Sequence, residues 1–194
     1  MKKLNGSNLV KTAVFISGSG TNLNSLIKFS YTHKSPIKIK YVISDNINAN
    51  GLNIAKKFNI KNKFYDFKKN KNVEKKILGE LKKNNIKFIC LAGFMKILSK
   101  NFIYKFKGQI INIHPSLLPQ YKGLNTHNRV IKNKEKNSGC TVHFVNSRLD
   151  SGKIILQKKV KILKKDTPKS LSRKILKEEH ILYPKAILKI FSSL

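Results

Sequence analysis

Asn112 and His114 stand two residues apart in the stretch INIHPSLLP, residues 111–119. Isoleucines bracket Asn112, an apolar alternation that predicts a strand, and in an extended chain residues i and i+2 project to the same face. Pro115 ends the ladder just beyond them. In open α/β sheets the binding crevice lies beyond the carboxyl ends of the strands. An amide there can donate to a developing oxyanion, and an imidazole can donate a hydrogen bond or move a proton. The bland alternative is a capped strand end with a satisfied histidine.

Three further stretches carry chemistry-bearing residues. ISGSGTNL, residues 16–23, runs from an apolar strand through glycines into a helical pattern. Such a junction leaves backbone N–H groups at a positive helix end, suited to one phosphate. Leu23 stands where the third glycine of GxGxxG belongs, and no Walker lysine follows, so a dinucleotide or triphosphate is disfavoured. The competing reading is a plain glycine turn. Asp150, in a chain with 9 Asp+Glu, sits at a turn between two strands. If the fold brings it beside His114 it orients the imidazole and balances its charge; otherwise it is a turn residue. Glu178-Glu179-His180 on the last helix reads first as a solvated face. His33, His127, His143 and His180 form no metal-ligand spacing, and no metal is expected.

The elements that must position these groups alternate. Strands are predicted over 12–17, 37–44, 63–66, 87–92, 109–114, 140–145 and 154–162. Helices are predicted over 22–29, 51–58, 73–84, 94–98 and 126–134, with another from 166–168 to about 180 that Pro184 kinks or interrupts before a final helical stretch. Strand and helix alternation over the first two-thirds argues a doubly wound, mostly parallel α/β sheet, with an antiparallel edge in the last third. One domain, residues 1–194, is expected, with residues 1–10 a loosely ordered extension. Cys90 and Cys140 lie in apolar runs and read as buried structural thiols.

The balance of 41 Lys+Arg against 9 Asp+Glu gives +32, which raises the question of nucleic acid. The lysines are spread along the chain and accompany abundant asparagine and isoleucine, as an A+T-rich coding sequence produces. A solvated basic surface that favours anionic substrates is the preferred reading, with no specific nucleic-acid partner. Nothing resembles a signal peptide core or a membrane span, so a cytoplasmic location without membrane contact is expected.

Taken together, ISGSGTNL, LAGFMKILS, INIHPSLLPQYKG, GCTVHFVNSRLDSGKIILQ and EEHILYP resemble the phosphoribosylglycinamide formyltransferase family of purine synthesis, in the family's order and over nearly the whole chain. The resemblance implies a Rossmann-like formyltransferase fold and transfer of a formyl group from 10-formyltetrahydrofolate to glycinamide ribonucleotide, without metal, by a monomer or homodimer. It makes Asn112, His114 and Asp150 the catalytic residues. It assigns Gly20, Thr21 and Asn22, with Leu176, Lys177, Glu178 and Glu179, to glycinamide ribonucleotide. It assigns Met95, Lys96, Ile97, Leu98, Asn112 and Asn146, Ser147, Arg148, Leu149 and Asp150 to the folate, with Asn70 near the place of a family arginine. Lys96 stands where arginine is common, Asn125 where histidine is common, and the C-terminus is expected to stop sooner than in many relatives. A deformylase and a methionyl-tRNA formyltransferase are the nearest rivals. Each carries an additional domain, which is not expected here.

Overall fold

The computed structural model describes residues 9–68 and 72–192. The chain divides into two compact units, Met1–Ile110 and Ile111–Leu194. The first contains β1 (Val10–Ile16), α1 (Thr21–Ser30), β2 (Ile37–Ser44), α2 (Asn50–Lys57), β3 (Lys61–Phe64), α3 (Val73–Lys83), β4 (Phe88–Leu91), α4 (Lys100–Lys105) and the start of β5 (Gln109–His114). The second holds the rest of β5, then α5 (Thr126–Lys132), β6 (Asn137–Phe144), β7 (Ile154–Lys161) and α6 (Pro168–Ser192). Of the expected extension over 1–10, residues 1–8 lie outside the described residues; Leu9 has no regular structure and Val10 already opens β1.

In the first unit the strands run in the order β3-β2-β1-β4 and all three pairings are parallel. Ala13–Ile16 and Phe88–Leu91 are buried throughout, as expected for strands covered on both faces. β2 alternates buried and exposed over its first half and is then buried at every position. On α3 the stripe facing the core is Val73, Ile77 and Leu81, one helical face.

Gly20 caps α1 in the left-handed region, at φ 75°, and a Cβ there would sit 2.5 Å from the Gly51 Cα. The α1–α2 approach is therefore set by two glycines. Gly20→Ala is expected to cost roughly 2–4 kcal/mol through clash and backbone strain, read as a lowered Tm. An unchanged Tm would contradict this packing.

Four expectations are corrected. Residues 94–98 form no helix: Ser17 donates its N–H to the Gly93 carbonyl at 3.1 Å, and Met95 donates its own to Ser17 Oγ at 2.8 Å. The helix starts later, at α4, where Ser99 Oγ accepts the Phe102 N–H. β3 begins two residues earlier than expected, at Lys61, and β6 three residues earlier, at Asn137. Pro184 does not interrupt α6, which runs unbroken for 25 residues. Proline removes one i→i−4 bond, and Leu182, Tyr183, Ala186 and Ile187 are buried around it and hold the helix together.

In the second unit β5, β6 and β7 are antiparallel, with Asn112 opposite His143 and His114 opposite Thr141. Residues directly opposite in an antiparallel pair share a face, so all four side chains emerge together. α6 packs on β6 and β7, and its Tyr183 hydroxyl donates to the Ile111 carbonyl at 3.3 Å. Thr167 Oγ1 accepts the Ser170 N–H at 3.1 Å and caps the start of α6.

Candidate active site

Asn112, His114 and Asp150 converge within the second unit. His114 Nδ1 lies 3.3 Å from Asp150 Oδ2, and the Asn112 amide donates to Asp150 Oδ1 at 3.5 Å. His114 Nε2 donates to the Tyr121 carbonyl at 2.8 Å. Both ring nitrogens thus face oxygen acceptors, which fixes the plane of the ring. Asp150 takes a left-handed conformation at φ 44°, which aspartate tolerates better than most residues. Asn146 builds the turn before it, its Oδ1 accepting from Arg148 N at 2.9 Å and Ser151 Oγ at 3.1 Å.

His143 joins the same cluster, which sequence reasoning missed. Its Nδ1 donates to the Phe144 carbonyl at 2.8 Å, and its Nε2 lies 3.3 Å from the Asn112 amide nitrogen. Burial, foremost, pushes its pKa below the usual histidine value. A neutral ring with its proton on Nδ1 presents a lone pair at Nε2, so it accepts from Asn112 and fixes which way the amide points. The 3.7 Å separation from Asp150 is then proximity, not an ion pair.

His127 is held low as well, by burial and then by the nearby His114. Unfolded, both rings titrate near the usual 6.5. Below that pH the unfolded chain binds more protons than the folded one, so stability falls as pH drops. Tm is expected to be lower at about pH 5.5 than at about pH 7.5, with a smaller difference in His143→Gln. A Tm that held or rose on acidification would contradict neutral buried histidines.

The segment after His114 is braced from β6 and β7. Thr141 Oγ1 donates to the Ser116 carbonyl at 2.6 Å and accepts the Leu118 N–H at 3.1 Å. Gln157 Nε2 reaches the Leu118 carbonyl at 2.8 Å and Thr141 Oγ1 at 2.9 Å. Farther on, the Gly123 N–H donates to Asp150 Oδ2 at 2.9 Å. His114 and Asp150 are therefore both tied to backbone of one loop.

The remaining expected residues fall into separate groups. Gly20, Thr21 and Asn22 form the cap and first turn of α1 in the first unit. Also there, Met95 and Ile97 are exposed, Lys96 half-buried and Leu98 buried. In the second unit Asn146 to Leu149 precede Asp150, with Leu149 half exposed. Leu176 and Glu178 are half-buried on α6, Lys177 is exposed, and Glu179 is buried, against the solvated-face reading. Asn70 lies outside the described residues. Cys90 and Cys140 are buried thiols, and burial pushes the Cys140 thiol up to about 12. Among the described residues no group of three or more His, Cys, Asp or Glu is placed to hold a metal, and no helix is long and apolar enough to cross a membrane.

Residues 10–187 match the formyl transferase family, which sets the class of the chain. It is 41% identical over 180 residues to the phosphoribosylglycinamide formyltransferase of Haemophilus influenzae, covering 91% of this chain and 85% of that protein. The solved phosphoribosylglycinamide formyltransferase of Brucella melitensis superposes with a TM-score of 0.89 at 39% identity, over 94% of this chain and 95% of that one. It is also 41% identical over 182 residues to the trifunctional purine biosynthetic protein adenosine-3 of Chironomus tentans, and it spans 13% of that protein's length against 91% of its own. As its motifs predicted, the chain belongs to the phosphoribosylglycinamide formyltransferase family.

Proposed function

We propose that the chain transfers the formyl group of 10-formyltetrahydrofolate to the amine of glycinamide ribonucleotide. The convergence of Asn112 and His114 on Asp150 carries this reading. Attack of the amine on the formyl carbon forms a C–N bond and turns the formyl oxygen into an oxyanion. Donors gathered around one carboxylate, His114 at Oδ2 and Asn112 at Oδ1, can serve another anionic oxygen placed beside it. Asn112 and His114 are assigned to that oxygen, each donor worth on the order of 3 kcal/mol in such a role. Asp150 turns the imidazole and balances its charge. Collapse breaks the bond from the formyl carbon to N10, and the proton lost by the amine passes to that nitrogen, leaving tetrahydrofolate.

The start of α1 at Gly20-Thr21-Asn22 suits the ribonucleotide phosphate, because amides of a helix's first turn lack intrahelical partners. Leu176 to Glu179 are assigned to the same substrate, with the buried Glu179 carboxylate suited to the glycinamide amine. Met95 to Leu98 and Asn146 to Asp150 are assigned to the folate, for which the exposed Met95, Ile97 and Leu149 offer apolar contact. The assignment covers one functional formyltransferase domain that works in the cytoplasm as a monomer or homodimer, on small molecules, without metal or a specific nucleic acid.

The test is tetrahydrofolate release from 10-formyltetrahydrofolate with and without glycinamide ribonucleotide. Release that requires the acceptor is expected. Release without it would indicate a deformylase, and none in either case would overturn the proposal.

A further inference from the structure

The loop that holds the catalytic pair is itself held by side chains with no part in the chemistry above. Tyr121, Gly123 and Asn125 all have positive φ, at 55°, 77° and 57°. For a tyrosine that conformation is costly and persists only where its surroundings enforce it. Tyr121 is fastened at its far end: its hydroxyl donates to Glu135 Oε1 at 2.6 Å and accepts from Asn133 Nδ2 at 2.9 Å. The Arg129 guanidinium lies 5.3 Å over the Tyr121 ring and donates to the Lys122 and Leu124 carbonyls at 2.6 and 3.3 Å. The backbone between these anchors supplies the Tyr121 carbonyl to His114 Nε2 and the Gly123 N–H to Asp150.

We infer that Glu135 is a positioning residue for formyl transfer: through the Tyr121 hydroxyl it fixes the carbonyl that sets the His114 ring. The inference rests on the proposed reaction for its kinetic consequence, but the linkage from Glu135 to the imidazole stands on geometry alone. The Glu135 bond also pushes the Tyr121 phenol pKa upward, which keeps the hydroxyl protonated as the donor. Simple loop anchoring would make Glu135 matter to stability only. Positioning makes it matter to the state of the His114 ring.

The experiment compares Tyr121→Phe, Glu135→Ala, Glu135→Gln and the double variant Tyr121→Phe/Glu135→Ala. It reads kcat and KM for both substrates and the ¹⁵N resonances of the His114 imidazole. Tyr121→Phe and Glu135→Ala are each expected to lower kcat about tenfold with KM held within about twofold. The double variant is expected to be no worse than either single one, as for residues acting as one unit. Glu135→Gln, whose amide oxygen still accepts from the phenol, is expected to retain most of kcat. The His114 resonances are expected to move in the first two variants and to stay in Glu135→Gln. Unmoved His114 resonances overturn the inference, whether kcat is unchanged or falls together with Tm. If the unaltered protein transfers no formyl group, the proposed function fails, while the His114 resonances still decide the linkage.

Discussion

Asp150→Asn is expected to lower kcat on the order of a thousandfold with the fold kept. The carboxylate is surrounded by donors: the Gly123 N–H and His114 Nδ1 at Oδ2, and the Asn112 amide at Oδ1. An asparagine has the same shape but only one acceptor oxygen. Its NH₂ must therefore face either Gly123 and His114 or Asn112, setting donor against donor at one end. The imidazole also loses the negative charge beside it, so the ring no longer has a partner for a proton at Nδ1. Circular dichroism is expected to change little, because the Asn146 turn that sets the loop before residue 150 is untouched, and Tm to fall modestly, because a buried donor is left facing a donor. Turnover within about tenfold of the unaltered protein would exclude Asp150 from the catalytic group.

His114→Ala is expected to lose a comparable factor, on the order of a thousandfold in kcat, since it removes one oxyanion donor together with the group that manages the proton. Its structural cost is separate. His114 is buried, and its loss leaves the Tyr121 carbonyl without the bond it receives at 2.8 Å. An unsatisfied buried acceptor costs about 1–3 kcal/mol, so Tm is expected to fall modestly while kcat collapses. His114→Gln separates the two effects, because its amide reaches the place of Nε2 and can donate to the Tyr121 carbonyl but cannot shuttle a proton at neutral pH. Recovery of Tm without recovery of kcat is the expected pattern. Recovery of both would assign His114 a structural role.

The parts of this arrangement that depend on local pattern could be read from the chain. The apolar runs at 13–16 and 88–91 are buried strands because parallel strands covered on both faces need no polar side. The shared face of Asn112 and His114 follows from strand alternation alone. Asp150 was legible as a partner only through family resemblance, because nothing local states how a turn far along the chain returns to the strand. His143 was not legible at all. It enters the cluster through the antiparallel register that sets it opposite Asn112, and register depends on the whole second unit. The same limit explains residues 94–98, where Phe94, Ile97 and Leu98 have helical spacing. There the Met95 N–H is bound by Ser17 Oγ, a contact across the fold that local spacing does not reveal, and the helix begins only at Lys100. Of the two alternatives at Pro184, a kink or an interruption, the interruption does not occur: residues on both sides of the proline are buried and the helix continues.

The central claim is that this cluster moves a formyl group onto a ribonucleotide amine. The most direct test follows a ¹³C-labelled formyl group from 10-formyltetrahydrofolate by NMR in a single turnover with glycinamide ribonucleotide present. The label is expected on the glycinamide nitrogen with the unaltered protein and on the folate with Asp150→Asn. Label released as formate, or transferred equally well by both proteins, would contradict it.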